Sequence, residues 1–161
     1  MAEDLIIKNT DKLSRYQELI PQLKALCEGE PNKIANLSNI VAGLKETFDF
    51  FWIGFYFVDS PKELVLGPFQ GPVACTRIQK GRGVCGKSWE EEKAILVEDV
   101  EQFPGHIACS SRSKSEIVVP VFKAKKVVAI IDVDSDKLND FDEVDKKHLN
   151  KIAQWVGEVI I

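Results

Sequence analysis

Three cysteines, Cys75, Cys85 and Cys109, stand among turn-forming residues in the phrases PVACTRI, GRGVCGKS and FPGHIACSSRSKSE. A thiol inside an apolar helix or strand is inert packing. A thiol held near glycines, backbone N–H groups and basic residues can ionise and attack. Three carboxylates follow: Glu116 in SEIVVP, then Asp132 and Asp134 in IIDVDSD. On a strand Asp132 and Asp134 project from one face, because side chains repeat every two residues. They end the apolar run VVAII, which places them where a buried strand opens into a cavity. Carboxylates crowded there repel one another, and one of them becomes able to donate a proton. Oxidisable thiols beside proton-donating carboxyls point to thiol redox chemistry. The acidic stretch is not a calcium loop, since it lacks the glycine and terminal glutamate of the EF-hand pattern.

The elements that must position these groups can be read from periodicity. From about residue 10 the apolar residues Leu13, Tyr16, Ile20, Leu23 and Cys27 keep a helical period, and Gly29 and Pro31 stop it. Cys27 lies on that stripe and is read as core. A second helix carries Ile34, Leu37, Val41, Leu44 and Phe48 on one face, so the two N-terminal helices span about 10–48. FFWIGFYFV and ELVLGPF then predict a hairpin turned at DSPKE. A short strand near ACTRI, a turn at GRGVCG and a brief helix at KSWEEEK follow. AILVE reads as a strand and DVEQFPGHIACSSRSKS as a long surface loop. EIVVPVFKA and VVAIIDVDS form a hairpin joined at Lys125–Lys126, closing a sheet-and-loop region over about 50–135. The closing helix, about 142–159, is amphipathic through Val144, Leu149, Ile152, Val156 and Val159, with His148 on its exposed side. The result is a single α+β domain over residues 1–161: a mostly antiparallel sheet, helices on one face and loops over a pocket on the other.

Composition bounds the function. The chain has 161 residues, 45% of them apolar and 29% charged, with a formal net charge of −4. One domain of this size buries roughly two-thirds of its unfolded surface. The acidic balance argues against a nucleic-acid partner, and no apolar run reaches the length of a membrane span. The N-terminus, MAEDLIIKNTDK, lacks the basic start and apolar core of a secretory signal. The expected address is the cytoplasm, where disulfides are transient and catalytic. GRGVCGK fits neither the dinucleotide nor the P-loop spacing, and its turn suits backbone donors facing a carboxylate. A zinc site of the three cysteines with His106 is disfavoured, because no CxxC is present; no metal or bound cofactor is expected.

The phrases LGPFQG, ACTRI, GRGVCG and FPGHIACSSRSKSEIVVP, with the segment ending DVDS, resemble the GAF-domain free methionine-(R)-sulfoxide reductases over essentially the whole chain. The order of Cys75, Cys85 and Cys109 matches the three-cysteine pattern of that family; Ser110 stands where such enzymes often carry Asp. The resemblance implies reduction of free L-methionine-(R)-sulfoxide, thioredoxin as reductant and a homodimer. The chemistry needs a thiolate nucleophile and an acid near the sulfoxide oxygen, then a second thiol to convert the sulfenic acid into a disulfide. Cys109 is assigned as nucleophile, Cys75 as resolving thiol and Cys85 as auxiliary or alternative resolver. Arg112 and Lys114 could lower the nucleophile's pKa. Spacing alone does not show which pair comes within disulfide reach. By resemblance Glu116 and Asp134 lie near the sulfoxide oxygen, and Asp132 with Asp134 near the ammonium. Trp52 and Tyr56, four residues apart on one strand face, are either core or an aromatic wall for the S-methyl group, and the resemblance favours the wall. Trp89 and Trp155 are read as packing. A ligand-reporting GAF module and a peroxide-reactive thiol protein are the competing function classes.

Overall fold

The first two helices are built by their caps and stripes. Asp11 accepts from the Ser14 N–H at 2.9 Å and opens α1, Lys12–Cys27. Asn32 accepts from the Ile34 and Ala35 N–H groups and opens α2, Lys33–Phe48. Tyr16, Leu19, Leu23 and Cys27 form the buried stripe of α1, while Leu13 and Ile34, both expected on buried faces, are exposed. Each lies in the first turn of its helix, beyond the edge of the sheet-side core. The coordinates come from a computed structural model that describes residues 4–107 and 109–161. Residues 1–3, where the stretch read for a targeting signal begins, and Ala108 lie outside the described residues.

Six strands follow: β1 Trp52–Val58, β2 Glu63–Gln70, β3 Arg77–Gln79, β4 Ile95–Val97, β5 Ser115–Lys123 and β6 Lys126–Ser135. They form one sheet in the order β3-β2-β1-β6-β5-β4, and every neighbouring pair is antiparallel. The period of two sorts the side chains. Ile53, Phe55, Ile117, Val119, Ile131 and Val133 face one way and join Tyr16, Leu23, Ile40 and Leu44 in the main core. Trp52, Tyr56, Val118 and Ile130 face the other way and join Ile78, Val84, Trp89 and Val100 in a second apolar cluster. The N- and C-terminal helices therefore cover one face, as the patterning predicts, and the loops cover the other together with the short helix that carries Val84 and Trp89. No helix is long and apolar enough to cross a membrane among the described residues.

Four local expectations are corrected. The helix read at KSWEEEK begins earlier, as α3 Gly83–Glu91, so the GRGVCG turn is only its entry. Cys85 therefore sits inside a helix and is buried, not in a turn. The β5–β6 turn centres on Ala124 and Lys125, both left-handed (φ 47° and 64°), one residue before the Lys125–Lys126 junction. That two-residue geometry matches the twist of the strands it joins.

The other two corrections concern α4, Glu143–Trp155, which opens with a capping box between Asp142 and Asp145. His148 is buried, stacked on Tyr16 with ring centroids 4.9 Å apart. Its Nδ1 donates to the Val144 carbonyl at 2.8 Å, which satisfies the polar end where water cannot reach. Val159, expected on the buried stripe, is 67% exposed. From Val156 to Ile160 the chain widens into a π turn, and its smaller rotation per residue carries Val159 off the stripe. Trp89 is buried and Trp155 half-buried under the Lys24 ammonium, consistent with packing roles.

Candidate active site

On the loop-covered face, strand register sets the floor of a pocket. Trp52 pairs with Asp134, and Asp134 pairs with Glu116, so these three lie in one row across β1, β6 and β5. The next row holds Gly54, Asp132 and Val118. Gly54 is needed there because the Trp52 ring lies over it and a Cβ would overlap that ring. Trp52 and Tyr56 form one wall, their ring centroids 6.0 Å apart. The Trp52 indole donates to the Pro72 carbonyl and the Tyr56 hydroxyl to the Cys75 carbonyl, each at 3.0 Å. Those two bonds tie the β2–β3 loop to the wall.

The lid comes from the long loop after β4. It brings His106, Ile107, Cys109, Ser110 and Ser113 over the row of acids. Cys109 is joined to Cys75 by a disulfide at a Cα separation of 5.4 Å. Cys85 enters from below in the first turn of α3, with its Sγ 3.8 Å from Glu116 Oε1. The structure thus brings all eight sequence-predicted residues to one place, with Cys75 at the rim. A cavity of about 40 Å³ remains between the acids and the loop.

The electrostatics are unusual for a structural site. Like charges directly opposite on neighbouring strands destabilise a sheet, yet Glu116 and Asp134 stand in that relation and Asp132 lies beside them. Burial, then the Asp132 and Asp134 charges, push the Glu116 carboxyl well above the usual carboxylate range. Burial and Asp134 do the same to Asp132. Asp134, held by a Ser113 hydroxyl that donates to it, is raised by burial to about 6. Burial and the neighbouring acids also push the Cys85 thiol up, so it is not an activated nucleophile here. His106 Nε2 is 3.7 Å from Glu116 Oε2, and burial lowers its pKa. Carboxyls that burial keeps protonated can deliver protons to a leaving oxygen.

The backbone donors expected at GRGVCGK lie at the start of α3, where the N–H groups of Gly83, Val84 and Cys85 have no side-chain cap. Some contributors were not read from the sequence. Arg82 lines the pocket. Ser113 was likewise missed. Arg112, expected to act on a thiol, instead lies over the Phe51 ring at 4.7 Å and pairs with Asp136.

The fold and the acid-floored, disulfide-gated pocket define an α+β ligand-binding domain equipped for thiol chemistry. Comparison with known proteins agrees. Residues 36–160 match the GAF domain family. The chain is 61% identical over 154 residues to GAF domain-containing protein A of Dictyostelium discoideum, covering 96% of this chain and 98% of that protein. It is 39% identical over 158 residues to the free methionine-R-sulfoxide reductase of Saccharomyces cerevisiae, covering 93% and 88%. The solved free methionine-R-sulfoxide reductase from Neisseria meningitidis, in complex with its substrate, superposes with a TM-score of 0.94 at 47% identity, over 96% of this chain and 93% of that one. The chain belongs to the GAF-domain free methionine-R-sulfoxide reductases, a family of oxidoreductases.

Proposed function

We propose that this protein reduces free L-methionine-(R)-sulfoxide to methionine, using Cys109 as nucleophile and Cys75 as resolving thiol. The observation that carries the reading is the Cys75–Cys109 disulfide beside the buried carboxyls of Glu116 and Asp132 and the partly exposed Asp134, which no lysine or arginine neutralises among the described residues. The Cys109 thiolate attacks the sulfoxide sulfur while Glu116, kept protonated by burial, protonates the departing oxygen. The oxygen passes to Cys109 as a sulfenic acid, methionine leaves reduced, and the Cys75 thiol condenses with the sulfenic acid to give the disulfide and water. Thioredoxin, or another external dithiol, returns both cysteines to thiols and is itself oxidised. No bound cofactor enters the cycle.

The pocket fits each end of the amino acid. Asp132 and Asp134 pair the ammonium, which a desolvated site must neutralise. The uncapped start of α3, with Arg82 beside it, receives the carboxylate. Trp52 and Tyr56 hold the S-methyl group against the thiol loop. Peptide-bound methionine sulfoxide offers neither charge and is excluded. Cys85 is auxiliary, its thiol donating to Glu116 rather than attacking. A cytoplasmic homodimer is part of the same reading, and light scattering checks the assembly. The test of function is thioredoxin-coupled NADPH oxidation with the free R epimer, the S epimer and an N-acetylated, amidated analogue. Turnover confined to the free R epimer supports the proposal, and none with any substrate by the reduced, folded protein overturns it.

A further inference from the structure

The floor of the pocket holds more negative and soft-donor capacity than a single ammonium uses. Cys85 Sγ, a Glu116 oxygen and an Asp132 oxygen lie within 4.8 Å of one another, and all three residues are buried. Asp132 is 6% exposed, and its Oδ1 is buried without any hydrogen-bond partner. A buried carboxylate oxygen left unpaired is costly, and beside a thiol and a second carboxyl it can serve as a ligand atom.

The donor set says which cation. Calcium and magnesium demand six or more oxygen ligands, and a sulfur between two carboxylates suits a borderline-soft ion instead. For tetrahedral zinc, bond lengths of about 2.3 Å to sulfur and 2.1 Å to oxygen imply a sulfur–oxygen edge of about 3.6 Å. The observed Cys85 Sγ to Glu116 Oε1 distance is 3.8 Å, so that edge already exists. His106 Nε2 lies 3.7 Å from the other Glu116 oxygen, outside the group of three donors, so a water completes the set. The cavity of about 40 Å³ beside these residues has room for an ion and a water.

We propose that Cys85, Glu116 and Asp132 form a zinc site, with water in the fourth position, and that zinc held there blocks methionine sulfoxide. Binding expels to solvent the Cys85 thiol proton and the carboxyl protons that burial holds on Glu116 and Asp132, and no electron moves. This is not the three-cysteine site that the sequence brings to mind, because Cys75 and Cys109 are joined elsewhere. The binding claim rests on geometry alone; the blocking claim rests on the reductase reading.

The test titrates the full chain in its disulfide form, in which only Cys27 and Cys85 are free thiols, with zinc by calorimetry and with cobalt by absorption. A single equivalent should bind, with a thiolate-to-cobalt charge-transfer band that persists in Cys27→Ser and vanishes in Cys85→Ser. Glu116→Gln and Asp132→Asn should each weaken zinc by more than the roughly 10–100-fold typical of losing an outer-shell partner. Circular dichroism checks each fold, and the two carboxylate variants decide the matter should Cys85→Ser misfold. No zinc binding, a band unchanged in Cys85→Ser, or unchanged affinity in both carboxylate variants overturns the site. Blocking is read separately in Cys75→Ser/Cys109→Ser, which neither turns over nor closes the disulfide. Methionine sulfoxide should displace zinc there; binding of both ligands at once overturns the blocking claim. Zinc binding without any affinity for methionine sulfoxide sinks the reductase reading and leaves the metal site standing.

Discussion

Replacing Asp134 by Asn should make the empty protein more stable and the enzyme worse. Asn keeps an oxygen that can accept from the Ser113 hydroxyl but removes a charge that burial opposes. The Asp134 carboxyl has a native value of about 6 against 3.8 when free. Below pH 3.8 native and unfolded states are both protonated, and the aspartate costs nothing. Between 3.8 and about 6 the native state holds a proton that the unfolded state has lost, so stability falls as pH rises. Above that the penalty is constant. The difference of 2.2 between the two values corresponds to about 3 kcal/mol at about 1.36 kcal/mol per unit, reduced by the slight solvent contact that Asp134 keeps, so about 1–3 kcal/mol is expected. Urea unfolding of wild type and Asp134→Asn, both locked as the disulfide, measures it at pH 4 and pH 8, with a Tm rise at pH 8 of roughly 2–4 °C per kcal/mol. The variant should match wild type at the lower pH, exceed it at the higher, and lose substrate affinity throughout. An Asn variant less stable than wild type at pH 8 would refute the claim that this carboxylate is held at a cost for function.

Cys109→Ser should release no methionine in a single turnover of reduced protein, whereas Cys75→Ser should release one equivalent and leave a sulfenic acid that dimedone traps for mass spectrometry. Methionine release by Cys109→Ser would reverse the assignment. Gly54→Ala forces the Trp52 ring aside; overpacking of this kind costs about 1–3 kcal/mol, and steady-state kinetics should show it as a higher KM with a smaller change in kcat. Tyr16→Phe removes the hydroxyl that donates to buried Asp145 at 2.9 Å. Hydrogen bonds to charged groups are worth about 1.5–3 kcal/mol, so thermal unfolding should shift down by several degrees while kcat stays unchanged.

The layered α+β architecture was legible because helical stripes and strand alternation are local patterns. Ile53 and Phe55 against Trp52 and Tyr56 already divide β1 between two faces. The errors sit where local pattern and tertiary contact disagree. His148 reads as solvated from its chemistry, yet Tyr16 offers it an aromatic face and Val144 a carbonyl. Cys85 reads as a turn residue from its glycine neighbours, but α3 starts at Gly83 and buries it. Arg82 and Ser113 were missed because neither carries chemistry until the lid loop and the helix end meet over the sheet.

By itself the sequence determined which residue types could act and which strand face each would occupy. Alternation puts Asp132 and Asp134 on one face whatever the rest of the chain does. Only the tertiary structure decided that Cys75, across a separation of 34 residues, is the partner within reach of Cys109. It alone aligned Trp52, Asp134 and Glu116 in one row and left Asp132 Oδ1 without a partner. Strand register and the meeting of distant loops are set by the packing of the whole sheet, and no short window of sequence contains that information.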